Sequence, residues 1–221
     1  MTDALVAGIF PDDIAVVWDE IGDVTAELRA DEAAFVAAAV PKRQREFARG
    51  RVCARRALAS LGVAAGSVLV GARREPLWPA GVVGSITHDD TLCLVALGRV
   101  ETYGSIGIDI EPDAPLEPNV AARIWSPAEA DASHAAGLDP ALGARLAFCA
   151  KEAFYKCQFP LTRTFLGFVD AAVTLEPERF EVTLRVAAGA LPPGTRFRGH
   201  WRRGAGKLFA ALVLPRELAP R

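Results

Sequence analysis

Hydrophobic and polar residues alternate along several stretches of this chain of 221 residues. In the second half, residues 172–175, 180–186 and 207–214 alternate with the period of two that is typical of half-buried strands, and Pro192-Pro193-Gly194 supplies a turn between them. This half is therefore predicted to form an antiparallel sheet. In the first half, residues 14–18, 82–88 and 92–97 favour strands for the same reason.

Other segments have the periodicity of helices. An alanine-rich run over 31–40 predicts a helix that Pro41 interrupts, and residues 42–61 predict a second one that ends at Gly62. A capping box, Ser126-Pro127-Ala128-Glu129, marks another helix start. The segment 142–157 predicts a further helix, with one apolar stripe formed by Leu142, Leu146, Cys149, Ala150, Ala153 and Cys157.

The strand-like stretch 106–111 has two acidic residues on one face. Ile106, Ile108 and Ile110 alternate with Gly107, Asp109 and Glu111, so the isoleucines would face a core and the carboxylates the opposite side. Two such residues are roughly 6.5–7 Å apart at their Cα atoms. Their carboxylates can converge on a hard cation such as Mg²⁺. The alternative is an ordinary solvated strand face.

Two arginines lie on the apolar stripe of the helix predicted over 42–61. Arg43 and Arg51 flank Phe47 at a spacing of four residues on either side. A charge on a core-facing stripe needs a partner, and a phosphate group suits the planar guanidinium. The alternatives are arginines that extend to the helix edge or that pair with carboxylates.

Glu152, Lys156 and His88 are further candidates for chemistry. Glu152 and Lys156 are four residues apart on the predicted helix, where they form either a surface ion pair or part of the acidic site, with Lys151 adjacent. His88 ends a short apolar segment, where a turn or capping role is the alternative to catalysis.

Composition narrows the class of protein. Hydrophobic residues make up 51% and charged residues 24% of the chain, which is a globular composition, and the formal net charge of −2 gives no argument for nucleic acid or a membrane surface. No signal peptide and no apolar run of about 18 residues are recognised. Four widely spaced cysteines favour a reducing compartment, so we expect a soluble cytoplasmic protein.

Three motifs in order resemble those of a known family. They are Trp78-Pro79-Ala80-Gly81-Val82-Val83-Gly84-Ser85-Ile86-Thr87-His88, Gly107-Ile108-Asp109-Ile110-Glu111 and Phe148-Cys149-Ala150-Lys151-Glu152-Ala153-Phe154-Tyr155-Lys156. Their order and spacing are those of the surfactin-synthetase-activating (Sfp/EntD-type) 4′-phosphopantetheinyl transferases. The resemblance runs from about residue 42 to residue 170.

This resemblance implies an α+β fold, with two similar α/β lobes in one chain (a pseudo-dimer), each with a small antiparallel sheet and a long helix. We place the N-terminal lobe at 1–103 and the C-terminal lobe at 104–221, with the active site at their interface. The implied reaction is Mg²⁺-dependent, with Mn²⁺ as a substitute. It transfers the 4′-phosphopantetheine arm of coenzyme A to a serine of an apo acyl or peptidyl carrier protein and releases adenosine 3′,5′-bisphosphate. The implied protein is a monomer, and the siderophore or nonribosomal peptide branch is favoured.

The resemblance also implies roles for individual residues. The metal ligands would be Asp109, Glu111 and Glu152. The catalytic groups would be Glu152, Lys156 and His88, with Glu152 as the base for the serine proton, directly or through a metal-bound water. Lys151 and Lys156 would contact the diphosphate. The coenzyme A site would further contain Arg43, Arg51, Arg73, Ser85, Thr87 and His88. Without a cation, we expect the carboxylates to splay or to be bridged by Lys151 or Lys156.

Thr87 stands where many relatives have serine, which keeps the hydroxyl. Arg74 stands where glycine is frequent, which makes the turn geometry of the loop 71–79 a question. Two rival functions are a non-catalytic coenzyme A-binding module and a metal-dependent phosphodiesterase. The first would not need three carboxylates, and the second would need a water-activating group and further ligands that the sequence does not reveal.

Overall fold

A computed structural model describes residues 3–139 and 142–220 of the chain. The outer ends of the two predicted lobes, residues 1, 2 and 221, therefore lie outside the described residues. The helices are α1 Asp3–Val6, α2 Ala30–Val36, α3 Pro41–Ser60, α4 Pro118–Ile124, α5 Pro127–Ala135 and α6 Gly143–Thr162. The strands are β1 Ala15–Glu20, β2 Leu69–Val70, β3 Pro76–Leu77, β4 Val82–His88, β5 Leu92–Arg99, β6 Tyr103–Pro112, β7 Ala171–Glu176, β8 Arg179–Leu184, β9 Arg196–Gly204 and β10 Lys207–Pro215.

Two antiparallel sheets dominate the described residues, and each is covered by one long helix. The first sheet has the order β1-β5-β4, and the second has the order β6-β10-β9-β8-β7. We call the first sheet with α3 the N-terminal lobe and the second sheet with α6 the C-terminal lobe. The predicted α+β fold with two lobes in one chain is confirmed, although the second sheet is the larger.

Strand β5, in the middle of the first sheet, separates two layers of core. Alternate residues of β5, Cys93, Val95 and Leu97, pack with Ala54 and Leu58 of α3. The residues between them face the second sheet. The layers are therefore α3, first sheet, second sheet and α6, and the apolar layer between the sheets is formed by Leu5, Ile9, Ile14, Leu92, Leu94, Ala96, Tyr103, Ile106, Ile108, Ile110, Phe209 and Ala211.

The predicted isoleucine face of β6 belongs to this central layer. Ile106, Ile108 and Ile110 are at most 1% exposed. The opposite face of β6 is covered by α6, and the approach is close: a Cβ atom on Gly107 would lie 2.0 Å from the carbonyl oxygen of Ala153. Only glycine fits there. The acidic face is therefore covered by a helix, which excludes the alternative of an ordinary solvated strand face.

The two sheets meet along β4 and β6 through side-chain hydrogen bonds. The Ser85 hydroxyl accepts a hydrogen bond from the Ile108 N–H at 3.3 Å, and the Thr87 hydroxyl accepts one from the Ile110 N–H at 3.2 Å. These contacts satisfy strand N–H groups that would otherwise need a backbone partner. They bring the end of β4, with His88, next to the acidic end of β6.

The ends of the long helices follow their sequences. Pro41 occupies the first turn of α3, and Gly62 follows its end with a φ of 69°, as expected of a glycine after a helix. The capping box at Ser126 and Glu129 starts α5, with the Glu129 N–H donating to the Ser126 hydroxyl. No helix among the described residues has both the length and the apolar character needed to cross a bilayer.

Candidate active site at the lobe interface

A cleft with a volume of about 460 Å³ opens between the two lobes. Its N-terminal-lobe wall contains Arg73, Trp78 and Ser85, and its C-terminal-lobe wall contains Glu152 and Lys156. The cleft therefore brings together predicted site residues that are up to 83 positions apart in the sequence. Aromatic and aliphatic side chains complete the lining, as is typical of small-molecule sites.

Asp109 is the most buried carboxylate at this interface, with 5% of its surface exposed. Its Oδ1 atom accepts hydrogen bonds from Lys156 Nζ at 2.7 Å and from the Thr87 hydroxyl at 3.1 Å. Its Oδ2 atom is buried and has no hydrogen-bond partner within the described residues. A buried, unpartnered carboxylate oxygen is costly unless something binds to it.

Glu111 and Glu152 complete the predicted acidic set. Glu111 accepts a hydrogen bond from Arg145 at 2.7 Å, whereas no hydrogen bond to the Glu152 carboxylate occurs among the residues the structure describes. Burial and the neighbouring Asp109 charge raise the pKa of Glu111. Burial also raises the pKa of Glu152, with a further contribution from Asp109. The Asp109 charge therefore acts on both glutamates.

Lys156 forms an ion pair with Asp109, whose carboxylate its Nζ atom approaches at 2.7 Å. Burial alone would lower the pKa of its ammonium, but the Asp109 carboxylate, its hydrogen bond and Glu152 raise it. Lys156 therefore remains charged and offsets part of the acidic repulsion. The expected lysine bridge between the carboxylates is not formed among the described residues, because Lys156 pairs with Asp109 alone and Lys151 pairs with Glu129.

These three carboxylates fit a divalent cation by chemistry, because all are oxygen donors and Asp109 offers an orphaned oxygen. They do not yet converge: within the described part of the chain, no three acidic, histidine or cysteine side chains form a ready ligand group. The pairing of Asp109 with Lys156 and of Glu111 with Arg145 accounts for this arrangement.

A basic cluster lies at the end of β4. Arg43 Nη1 is 3.0 Å from His88 Nε2, and Glu46 lies 3.5 Å from Arg43. Burial lowers the pKa of His88; Glu46 opposes this shift, whereas Arg43 and Lys156 reinforce it, so the neutral imidazole is favoured. Thr87, which contacts Lys156 and Asp109, directly precedes His88, so the basic and acidic clusters are neighbours.

Arg51 is the buried member of the basic cluster, with 6% of its surface exposed. Its Nε atom donates to the Val68 carbonyl at 2.8 Å, and its guanidinium lies 4.0 Å from the centre of the Phe47 ring. Burial, opposed by Glu32 and helped by Arg43, lowers its pKa to about 10. In the described ranges, no hydrogen-bond acceptor is found for Arg51 Nη1 or Nη2, so both of these nitrogen atoms can donate to an anion.

The loop before β4 shapes one rim of the cleft. The Arg73 N–H donates to Glu75 Oε2 at 2.9 Å, while Glu75 Oε1 accepts a hydrogen bond from Arg163 at 2.7 Å. Arg74 has a φ of 70°, so this loop contains a left-handed turn at a residue with a Cβ atom. The cost is backbone strain at Arg74.

Two predicted contact residues, Lys151 and Thr87, already use their polar groups in hydrogen bonds within the protein. Lys151 is 4% exposed and donates to the carbonyls of Ile124 and Phe168 and to Glu129, at 2.7–2.8 Å, so its ammonium is not available for a diphosphate. The Thr87 hydroxyl accepts from the Ile110 N–H and from Lys156 and donates to Asp109. It positions these groups rather than offering a free contact.

Sequence reasoning missed Arg145. The Nη1 atom of this arginine donates to Glu111, and Nε donates to the Ala114 carbonyl at 2.9 Å. Its spacing of seven residues before Glu152 places both on one face of α6, and this was the signal that could have revealed it.

Comparisons with known proteins agree with this architecture. The family model described as the 4′-phosphopantetheinyl transferase N-terminal domain matches residues 31–98, and that of the 4′-phosphopantetheinyl transferase superfamily matches residues 105–205. The chain is 40% identical over 202 residues to the 4′-phosphopantetheinyl transferase Svp of Streptomyces mobaraensis, covering 89% of this chain and 82% of that protein. It is 39% identical over 228 residues to the 4′-phosphopantetheinyl transferase PptT of Mycobacterium tuberculosis, covering 95% and 98% of the two chains.

A more distant similarity is to enterobactin synthase component D of Salmonella typhi, at 33% identity over 72% of this chain and 67% of that protein. The chain belongs to the 4′-phosphopantetheinyl transferase family. The predicted family and the prediction of a transferase enzyme are confirmed.

Proposed function

We propose that this protein transfers the 4′-phosphopantetheine arm of coenzyme A to a serine of an apo carrier protein and releases adenosine 3′,5′-bisphosphate. The observation that carries the proposal is the junction at the end of β4. Thr87 contacts Asp109 and Lys156 of the acidic cluster, and the next residue, His88, contacts Arg43 of the basic cluster. A cationic site suits the 3′-phosphate of coenzyme A, and a neighbouring carboxylate site that holds a divalent cation suits its diphosphate.

Asp109, Glu111 and Glu152 are proposed to hold Mg²⁺, or Mn²⁺ in its place. When bound, the cation neutralises the diphosphate and orients the scissile P–O bond. The support is the all-oxygen donor set with the orphaned Oδ2 atom of Asp109.

The chain's own groups would complete the chemistry. Glu152 faces the cleft without a hydrogen bond among the described residues, which supports a role in accepting the proton of the carrier serine. The serine oxygen then bonds to the β-phosphorus, and the bond to the nucleotide phosphate breaks. Lys156, fixed beside Asp109, would stabilise charge on the phosphoryl oxygens.

The basic cluster is proposed to bind the 3′-phosphate of coenzyme A. Arg43, Arg51 and His88 supply cationic and neutral donors there, and the free Nη atoms of Arg51 support this role. Arg73 and Ser85, which line the cleft, are proposed to contact the rest of the nucleotide. In this proposal, Thr87 and Lys151 do not contact the substrate. Thr87 orients Asp109 and Lys156, and Lys151 holds α6 against the segments that contain Ile124 and Phe168.

We further propose a cytoplasmic monomer whose lobes divide near residues 103 and 104. The boundary is supported by the turn between the end of β5 at Arg99 and the start of β6 at Tyr103. Both walls of the cleft come from one chain, which supports a monomer. The four cysteines are free and buried, as expected in a reducing compartment. Siderophore or nonribosomal peptide carriers are the proposed partners, supported by the similarity to enterobactin synthase component D.

The test is an incubation of the protein with coenzyme A, Mg²⁺ and an apo carrier protein, followed by mass spectrometry of the carrier. We expect the carrier to gain one phosphopantetheine, and we expect this gain to disappear with EDTA and in Glu111→Ala. Glu101→Ala, in the exposed turn before β6, is the matched control and should retain activity. An unmodified carrier would favour a coenzyme A-binding module, and cleavage of coenzyme A without any carrier would favour a phosphodiesterase. Either result overturns the proposal.

A further inference from the structure

Arg145 makes a set of contacts that the proposed reaction does not yet use. It lies in the first turn of α6, on the face that the helix presents to β6. Its Nη1 atom donates to Glu111 Oε2 at 2.7 Å, its Nε atom to the Ala114 carbonyl at 2.9 Å and its Nη2 atom to the Pro115 carbonyl at 3.3 Å. One guanidinium therefore joins a carboxylate of the acidic cluster to the loop that follows β6.

The two carbonyl contacts fix the guanidinium independently of Glu111. The loop itself is tied to the hairpin between β9 and β10, because the Asp113 N–H donates to the Gly206 carbonyl at 2.9 Å. A planar guanidinium that is already held loses little further freedom when it binds a carboxylate. Arg145 is thus a preformed anchor for one oxygen of Glu111.

Glu111 needs such an anchor. It shares a face of β6 with Asp109, and two like charges at this spacing repel each other. Glu111 is also near the end of the strand and half-buried, so its longer side chain could turn away into solvent. The anchor occupies only Oε2, and no hydrogen bond to Oε1 is found in the described residues.

We propose that Arg145 is a positioning residue that holds Glu111 beside Asp109, leaving Glu111 Oε1 and Asp109 Oδ2 available for the divalent cation. This inference rests on the proposed function. Residues that orient a metal ligand typically change metal affinity 10- to 100-fold when they are removed. The same magnitude is expected here.

The test measures Mn²⁺ binding to the full chain by electron paramagnetic resonance, in the presence of coenzyme A. We expect Arg145→Gln to weaken Mn²⁺ binding by about 10- to 100-fold and Arg145→Lys to give an intermediate loss. Coenzyme A binding in EDTA should remain unchanged in both variants. The Mg²⁺ concentration that gives half-maximal turnover should rise, while saturating Mg²⁺ restores most of kcat, which damage to the fold would not do.

Arg203→Gln is the matched control. Arg203 Nε donates to Asp113 Oδ2 at 2.6 Å, so this variant also removes an arginine–carboxylate pair from the same loop, but not one with a proposed ligand. Its Mn²⁺ affinity should stay within about 2-fold of the wild type. Circular dichroism and the melting temperature report whether each variant is folded, and Arg145→Lys carries the test if Arg145→Gln does not fold.

Unchanged Mn²⁺ affinity in a folded Arg145 variant overturns the inference, and tighter binding does so as well, because it would make Arg145 a competitor of the cation. Glu111→Gln separates this failure from that of the proposed metal site. If the wild type binds Mn²⁺ and Glu111→Gln does not, the metal site stands and only the role of Arg145 falls. If the wild type itself binds no Mn²⁺, the proposed cation site fails first.

Discussion

The two long helices of this protein are built alike but contribute different chemistry to the lobe interface. Both α3 and α6 have 20 residues, and each covers one sheet with an apolar stripe. At the interface, α3 contributes the cations Arg43 and Arg51, whereas α6 contributes Glu152 and Lys156 beside the acidic end of β6. The repeated architecture supplies the cleft, and the few polar residues at the edge of each stripe decide what each half can bind.

The largest expected effect concerns the α6 side. Glu152→Gln keeps the shape of the side chain but removes the carboxylate proposed as proton acceptor and ligand, so kcat should fall about 10²- to 10⁴-fold. The half-buried Glu152 carboxylate has no hydrogen bond in the described residues, so its replacement should lower kcat without lowering the free energy of unfolding. Steady-state kinetics and thermal unfolding measure the two effects. A kcat close to that of the wild type would show that Glu152 takes no part in the reaction.

The second prediction separates the two lysines of α6. Lys151→Met leaves the buried Glu129 carboxylate without its ion pair, so the free energy of unfolding should fall by about 3–5 kcal/mol. Adding Glu129→Gln should recover part of this loss, because the uncompensated charge is removed. Urea unfolding measures both variants. If Lys151→Met is as stable as the wild type and instead raises KM for coenzyme A, Lys151 contacts the substrate after all.

The third prediction concerns the α3 side. Arg51→Met should raise KM for coenzyme A about 10- to 100-fold, because a charge-assisted contact of about 1.5–3 kcal/mol is lost. For 3′-dephospho-coenzyme A the variant and the wild type should have similar KM values, since the proposed partner is missing. Arg56→Met, on the exposed side of α3, is the control. If the ratio of the KM values for coenzyme A and 3′-dephospho-coenzyme A is the same in Arg51→Met as in the wild type, Arg51 does not bind the 3′-phosphate.

The smallest expected effect lies at the rim of the cleft. Arg74 has a φ of 70°, a conformation that costs a residue with a Cβ atom more than it costs glycine. Arg74→Gly should therefore raise the free energy of unfolding by about 0.5–1 kcal/mol. Thermal unfolding tests this, with Arg73→Gly as the neighbouring control that should not stabilise. A less stable Arg74→Gly would mean that contacts of the arginine side chain outweigh the strain.

Much of the fold could be predicted from local patterns. The isoleucine alternation of β6, the buried stripe of α6, the interruption at Pro41 and the helix end at Gly62 all appear in the structure. Strand β9 is missing from the predicted strands, although Phe197 is buried between the exposed Arg196 and Arg198 and Trp201 is buried further along the same face. Its charged residues lowered the apparent hydrophobicity, while the pairing with β8 and β10 stabilises it as a strand.

The sequence by itself determined the family motifs, the identity of the acidic and basic candidates and the elements that carry them, because these depend on residue type and short-range periodicity. Only the tertiary structure decided which side chains are partners. It buried the acidic face of β6 under α6, engaged Lys151 with Glu129 and brought Arg145 to Glu111. Such pairings depend on distances between segments that are far apart in the chain, and a helix face or a strand face does not specify which charge will lie opposite it.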